Sequence, residues 1–125
     1  MKELKLKKCL KCNALVKVIE DCNCEDCNFV CCGEPMKYVK SNSVDAAFEK
    51  HVPVYEIDGS NIVITVKHVM EEGHYIEWIS YVTNNLEITK QFKPNEEIKL
   101  TVPYEKVTKI YSYCNKHGLW EKEVD

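Results

Sequence analysis

The chain has 125 residues with a formal net charge of −3 at pH 7, and all 17 basic residues are lysines. So small a negative charge argues against a dedicated nucleic-acid-binding protein, whereas 45% hydrophobic and 10% aromatic residues are typical of a globular chain. No apolar run reaches the roughly 18 residues that a membrane span needs, and the stretch MKELKLKKCL lacks the apolar core of a signal peptide, so we expect a cytoplasmic protein with no membrane partner.

Seven of the eight cysteines lie within residues 1–37. In a reducing cytoplasm such thiols are better read as metal ligands than as disulfides. Cys9 and Cys12 form a Cys-x-x-Cys pair. Five more thiols follow in DCNCEDCNFVCC, at Cys22, Cys24, Cys27, Cys31 and Cys32. Because four thiolates suffice for a tetrahedral iron or zinc ion and this segment has few large apolar residues, the sequence predicts a small domain held together by metal.

Residues 38–125 are predicted to form about seven short strands. A partly polar connection and loop, KYVKSNSVDAAFEKHVP, leads into them. Two β-rich runs flank Asp58-Gly59, which is a typical hairpin signal. The later runs are YIEWISYVT, LEITKQF, EIKLTV, KVTKIYSYC and GLWEKEV, separated by turn residues. Because no helical period is present, the count and spacing of these runs favour an antiparallel β-sandwich.

All four histidines fall in this second segment, at predicted strand ends or in loops. His68 and His74 bracket the loop VMEEG, and Pro53 favours an extended Val52, which would hold the loop of His51 rigid. His117 follows Cys114 by three positions. Thiolate and neutral imidazole are both good ligands for transition metals. The spacing is compatible with one shared metal ion and equally with independent surface histidines.

Three stretches carry a resemblance to a known family. VDAAFEKHVPV, HVMEEGHYIEWI and YCNKHG resemble the iron-site motifs of superoxide reductases, and the cysteine-rich start resembles the desulfoferrodoxin branch with its extra iron domain. The resemblance covers nearly the whole chain. It implies a mainly β protein, with a desulforedoxin-like metal domain over residues 1–37 and an immunoglobulin-like antiparallel β-sandwich over residues 38–125.

The same resemblance implies a catalytic iron with an open sixth position facing solvent. Glu49 and Lys50 match a pair that flanks the iron in the family. There the glutamate can occupy the sixth position of ferric iron, and the lysine supplies positive charge that attracts a small anion. Carried over residue by residue, the equatorial ligands are His51, His68, His74 and His117, and the axial ligand is Cys114.

The implied reaction is the one-electron reduction of superoxide to hydrogen peroxide, which would detoxify superoxide in an anaerobe-type cytoplasm. The electrons come from an external donor such as rubredoxin, and relatives are homodimers. Three other interpretations remain open from the residues: an electron-transfer or iron-binding protein without turnover, a structural zinc protein, and a non-haem peroxidase that uses the same site.

Two sets of cysteines compete for the first centre. The likeness of VCCGEPMKYV to the vicinal pair of desulforedoxin-like domains implies Cys9, Cys12, Cys31 and Cys32. The alternative pairs Cys9 and Cys12 with Cys24 and Cys27, as in rubredoxins and zinc ribbons. The remaining thiols are expected to be inert, to exchange as ligands or to form a disulfide. Four thiolates with no open position suit electron transfer or structure, by iron or by zinc in its place.

Overall fold

The computed structural model describes residues 2–24 and 28–125. Internal contacts divide the described chain into two units: Leu4–Lys40, and Ser41–Asp125 together with Lys2 and Glu3. The boundary expected after residue 37 falls inside a strand, Lys37–Tyr38, that pairs with Leu6–Lys8, and this pairing keeps the chain in the first unit for a few more residues.

The first unit is built from very short strands. Its three-stranded antiparallel sheet has the order β2-β1-β5, and β3 pairs with β4 in a separate hairpin. The bounds are β1 Leu6–Lys8, β2 Leu15–Lys17, β3 Val30–Cys31, β4 Glu34–Pro35 and β5 Lys37–Tyr38. Few apolar side chains of this unit are buried, chiefly Leu4, Leu6 and Cys9. A core of this size is too small to stabilise the folded unit without a further cross-link, such as a bound metal.

The second unit is an antiparallel β-sandwich of seven strands, as the sequence predicts. One sheet has the order β10-β7-β6 and the other the order β12-β11-β8-β9. The bounds are β6 Val54–Asp58, β7 Asn61–Thr65, β8 Ile76–Val82, β9 Glu87–Gln91, β10 Lys99–Pro103, β11 Lys109–Cys114 and β12 Gly118–Glu123. The mainly β fold with a small cysteine-rich unit is therefore confirmed.

The core of the sandwich lies between the two sheets and is rich in isoleucine. Alternate residues of β7 point inward, so that Ile62 and Ile64 are fully buried, and they join Ile79 of β8 and Ile110 of β11 in one cluster. Strands β8 and β11 are the central pair of the larger sheet. The end of this rigid central pair carries Cys114, which belongs to the same cluster.

Two local features bear on the sequence predictions. The hairpin between β6 and β7 is confirmed: Asp58 pairs with Asn61 across a two-residue turn, and Gly59 has a φ of +61°, which glycine adopts without steric cost. The segment expected to be a loop instead contains one helical turn, α1, at Phe48–His51. One turn is too short to produce a helical period in the sequence.

Helix α1 ends where the sequence requires it to. Val52 is extended, with φ −71° and ψ 130°, because Pro53 disfavours helical backbone in the residue before it. Among the residues that the structure describes, no helix is long and apolar enough to cross a membrane.

Candidate metal centres

Four imidazole rings in the second unit lie at the corners of a square. Adjacent ring centroids are 4.7, 4.6, 5.1 and 4.9 Å apart, and their planes are inclined by 73–88°. One diagonal, between His51 and His74, is longer at 6.4 Å. In order around the square the rings are His51, His68, His74 and His117. Residues that are 66 positions apart thus face a single centre.

The thiol of Cys114 lies against this square. Its sulfur is 3.4 Å from Nε2 of His68 and 3.8 Å from Nδ1 of His117. The cysteine is fully buried, whereas three of the four imidazoles are only half-buried, so the sulfur occupies the inner side of the square. Ligand atoms of His51, His74, Cys114 and His117 all lie within 4.8 Å of one another.

These distances fit a bound transition metal. Around an ion held at about 2.1 Å, adjacent nitrogens of a square lie about 3.0 Å apart, and Nε2 of His51 is 3.1 Å from Nδ1 of His117. In addition, Nε2 of His74 is buried and has no hydrogen-bond partner among the described residues. A buried nitrogen without a partner is costly unless a metal or another ligand binds it.

Backbone carbonyls orient two of the rings. Nδ1–H of His51 donates to Ala47 O at 2.7 Å, and Nδ1–H of His68 donates to Val69 O at 2.5 Å. Each bond leaves Nε2 as the free lone pair, the arrangement commonly found around metal-binding histidines. The main chain of His51 is fixed as well, because the buried hydroxyl of Ser112 donates to its carbonyl at 2.7 Å.

A β-bulge lies beside the square. Along β8 and β11 the pairing runs from Lys109↔Val82 to Tyr113↔Trp78 and then shifts to Cys114↔Ile76, which leaves Glu77 as an extra residue. Bulges of this kind re-aim side chains and are frequent next to active sites. The bulge ends regular pairing at the point where the chain must turn towards His74.

In the absence of metal, burial shifts the pKa values of two histidines and of the cysteine in this cluster. Burial lowers the pKa values of His68 and His74, and the other histidines of the cluster add to the effect. Burial also raises the pKa of the Cys114 thiol, although the backbone N–H groups of Lys116 and His117 partly oppose this. Burial therefore favours the neutral form of His68 and His74, which is the form that binds metal.

The first unit contains a second cluster, of four sulfurs within 4.8 Å of one another. The sulfurs of Cys12 and Cys31 are 3.6 Å apart, and those of Cys31 and Cys32 are 4.0 Å apart. A tetrahedral ion with metal–sulfur bonds of about 2.3 Å requires sulfurs about 3.8 Å apart. The cluster contains Cys9, Cys12, Cys31 and Cys32.

The turn chemistry explains how the vicinal pair reaches this cluster. Cys31 ends β3 and Cys32 is the first of two turn residues, with φ values of +54° for Cys32 and +78° for Gly33. Two consecutive positive φ values define a tight hairpin turn whose twist matches its strands. Cys32 is a non-glycine residue at positive φ, which is a strained conformation, and in it the sulfur lies 4.0 Å from that of Cys31.

The cysteines of the sulfur cluster differ in their pKa values. Backbone N–H groups of Cys12 and Lys11 lower the pKa of Cys9 to about 7. Hydrogen bonds with the sulfurs of Cys12 and Cys9 raise the pKa of Cys31 to about 12. One thiolate is thus available near neutral pH, and the remaining protons leave when a cation replaces them.

Of the remaining cysteines, the two that the structure describes lie outside both clusters. Cys24 is an exposed free thiol, and Cys22 is disulfide-bonded. Cys27, the last member of the alternative set, lies outside the described residues. The structure therefore brings the vicinal pair, rather than Cys24, next to Cys9 and Cys12.

Glu49 and Lys50 occupy the middle of α1, directly before His51, and both are exposed. Two further residues contact the square or the main chain beside it, and the sequence motifs did not single them out. Trp120 stacks on His51 with 4.9 Å between ring centroids, and its Nε1–H donates to His117 O at 3.1 Å. Asn115 hydrogen-bonds on both sides of His74, and its position inside YCNKHG was the available signal.

The chain is similar to proteins of one family. Residues 43–123 match the family model described as desulfoferrodoxin. A desulfoferrodoxin from Nitratidesulfovibrio vulgaris is 39% identical over 122 residues, covering 94% of each chain. A desulfoferrodoxin homolog from Archaeoglobus fulgidus is 40% identical over 119 residues, covering 91% of this chain and 92% of the relative. The chain belongs to the desulfoferrodoxin family.

A solved desulfoferrodoxin relative extends this comparison to three dimensions. The superoxide reductase from Treponema pallidum superposes with a TM-score of 0.73 at 27% identity, covering 98% of this chain and all of that one. The four-cysteine cluster and the histidine–cysteine cluster match the two iron centres of desulfoferrodoxins, so the predicted iron cofactors are confirmed. The protein is an iron-binding oxidoreductase of the desulfoferrodoxin/superoxide reductase family.

Proposed function

We propose that the protein is a superoxide reductase. It would convert one superoxide anion, one electron and two protons into hydrogen peroxide, without producing dioxygen. The observation that carries the proposal is the square of four imidazoles with a fully buried thiol on its inner side. Four imidazole nitrogens and one sulfur would hold an iron ion there without filling its coordination, which would leave room for a small ligand, as a reactive metal site requires.

Each member of the cluster has a distinct part in this proposal. His51, His68 and His74 would bind iron through Nε2 and His117 through Nδ1, as their hydrogen bonds and distances favour. Cys114 would bind the same ion through its sulfur. When bound, iron would supply the one-electron reducing power, and a thiolate ligand would increase the electron density on it.

The exposed residues of α1 would act on the approaching anion. Lys50 lies directly before His51 and is exposed, so its ammonium group raises the local concentration of a small anion. Its strongly hydrated head can also order a water that donates a proton. Glu49 would bind the iron of the oxidised protein through its carboxylate and so exclude other ligands.

The four-cysteine cluster would be an accessory electron-transfer centre with Cys9, Cys12, Cys31 and Cys32 as its ligands. Four thiolates fill a tetrahedral ion, so no position remains for a substrate. The electron donor would be a small iron–sulfur protein of the rubredoxin kind. We further propose a homodimer in the cytoplasm, where the activity would detoxify superoxide.

The test is a rapid-mixing measurement with reduced, iron-loaded protein. We expect superoxide to disappear with a rate constant near the diffusional range, with one peroxide formed per superoxide and no dioxygen. Dioxygen formed at half of the superoxide consumed would identify a dismutase instead. Faster turnover with peroxide than with superoxide, under one reductant, would favour the peroxidase interpretation. A visible spectrum that neither azide nor cyanide changes would favour an electron-transfer protein.

A further inference from the structure

The position of His74 is fixed differently from those of His51 and His68. The latter two rings are each anchored by a hydrogen bond from Nδ1 to a backbone carbonyl. Within the described residues, no hydrogen bond holds the ring of His74, and its buried Nε2 has no partner. The direction of this ring must therefore follow from where the main chain places it.

The main chain around His74 forms a closed loop. The N–H of His74 donates to Glu71 O and the N–H of Glu71 donates to His74 O, both at 3.0 Å. These two bonds use the polar main-chain groups of His74 inside its own loop. They shape the loop, but they do not connect it to the turn that carries Cys114 and His117.

Asn115 supplies that connection. Its Nδ2–H donates to Gly73 O at 3.1 Å, and its Oδ1 accepts from the N–H of Tyr75 at 3.0 Å. Its own N–H donates to Tyr75 O at 3.2 Å. The side chain of Asn115 thus bonds to the residue before His74 and to the residue after it. Because Asn115 directly follows Cys114, these bonds join the loop of His74 to the turn that carries Cys114.

The β-bulge makes this link necessary. Regular pairing between β8 and β11 ends at Cys114↔Ile76, immediately after the register shift. Beyond it, the link is made by the N–H of Asn115 to Tyr75 O and by the two side-chain bonds of Asn115 to Tyr75 and Gly73. Asparagine suits this task because its amide both donates and accepts, as a peptide group does.

We propose that Asn115 is a positioning residue that sets the place of His74 in the iron site. The inference rests on the proposed function in one respect, namely that His74 is an iron ligand. A hydrogen bond to a neighbour of a ligand acts on metal geometry through the main chain, and loss of such outer partners typically costs about 10- to 100-fold in metal affinity.

The experiment compares iron-loaded protein with its variants Asn115→Ala and Asn115→Asp. Alanine removes both side-chain bonds, whereas aspartate keeps an acceptor for the N–H of Tyr75 and loses the donor to Gly73 O. We expect both variants to release iron from the histidine–cysteine centre to a chelator about 10-fold faster or more. We also expect the paramagnetic resonance signal of the ferric centre to change in rhombicity, because one equatorial nitrogen moves.

Two controls are internal to the chain. The four-cysteine centre should keep its spectrum and its iron, since it lies in the other unit. Asn84→Ala, at an exposed asparagine in the loop between β8 and β9, should behave like the parent. If Asn115→Ala does not fold, Asn115→Asp alone decides the question.

An unchanged resonance signal together with a parental release rate overturns the proposal. So does a variant that melts at lower temperature but shows the parental signal while folded, because Asn115 would then stabilise only the fold. No superoxide is used in these measurements. A parent protein that fails to reduce superoxide would therefore defeat the proposed function and leave the result for Asn115 intact.

Discussion

At the scale of single residues, the reactive centre depends on one buried sulfur. Cys114 is fully buried at the end of β11 and is the only described thiol in the second unit. Its burial raises the cost of an unpaired thiolate, which a bound cation removes. The chemistry of the centre should therefore be sensitive to this atom above all others.

We predict that Cys114→Ser abolishes the visible charge-transfer band of the oxidised histidine–cysteine centre. A serine oxygen is a harder and less electron-rich donor than a thiolate. Activity should fall by more than the roughly 10- to 100-fold typical of an outer-shell change. The matched control is Cys24→Ser, at an exposed free thiol outside both clusters. A retained band in Cys114→Ser would show that another group binds axially.

We predict that Lys50→Ala slows the reaction with superoxide by roughly 3- to 10-fold at low ionic strength and weakens its dependence on salt, while iron stays bound. The reason is electrostatic, since Lys50 is exposed beside His51. Rapid mixing at several salt concentrations measures both effects. Lys99→Ala, at an exposed lysine on β10 in the other sheet, is the control. Parental rates with a parental salt response would exclude the steering role.

We predict that the metal-free protein loses stability as the pH falls below about 6.5, the ordinary imidazole pKa. Because the pKa values of His68 and His74 are lowered in the folded state, the unfolded chain binds more protons in this window. The free energy of unfolding therefore decreases until the pH reaches the lowered values. Urea titrations at several pH values measure the slope. Replacing both histidines by glutamine should reduce it, and an equal slope would contradict the assignment.

At the scale of elements, turns place several side chains of the two metal clusters. The hairpin between β3 and β4 presents Cys31 and Cys32 together through two consecutive positive φ values. The turn after β11 likewise brings His117 back to Cys114. Part of each cluster is thus carried by a short reversal attached to paired strands, which places side chains more precisely than a long loop does.

The turn at Gly59 offers a clean test of local geometry. A Cβ added there would meet nothing within 4 Å, so the cost of Gly59→Ala comes from its φ of +61° alone. We predict a loss of about 1–2 kcal/mol in the free energy of unfolding, measured by urea titration. Gly73→Ala is the matched control, because Gly73 also has open space but no positive φ. It should be neutral or stabilising. Equal effects would contradict the turn assignment.

At the scale of the whole molecule, the two metal clusters belong to separate compact units. Each cluster is assembled from residues of its own unit. The first unit buries little apolar surface, so metal binding should provide much of its stability, as in other small metal-bound domains. The sandwich has an isoleucine core of its own and does not depend on a metal in this way.

We predict that the double variant Cys31→Ser and Cys32→Ser empties the four-cysteine centre and spares the other. Iron content should fall from two to one per chain, and the rate with superoxide should stay within about 2-fold of the parent, because the reactive centre keeps all of its own outer partners. Metal analysis with a visible spectrum measures both. A centre that remains filled would point to Cys24 and Cys27 as ligands. Loss of both irons would show that the units are coupled.

The sequence by itself determined the strand pattern, the hairpin at Gly59 and the types of side chain that can bind metal. Alternation in β7, turn residues and the chemistry of thiols and imidazoles are local properties, so they can be read without coordinates. The motifs around His51, His68 and Cys114 were also sufficient to suggest one family. The helical turn at α1 was missed because four residues contain no period.

Only the tertiary structure decided that the histidines share one centre and how each is held. Convergence of His51 with His117 depends on the packing of distant segments, and the loop of His74 follows a bulge at Glu77; neither feature follows from spacing. The same holds for Asn115, whose side-chain hydrogen bonds to the main chain on either side of His74 join segments 40 and 42 positions apart. Which side chains can bind a metal is a matter of local chemistry, whereas the geometry in which they meet is set by long-range contacts.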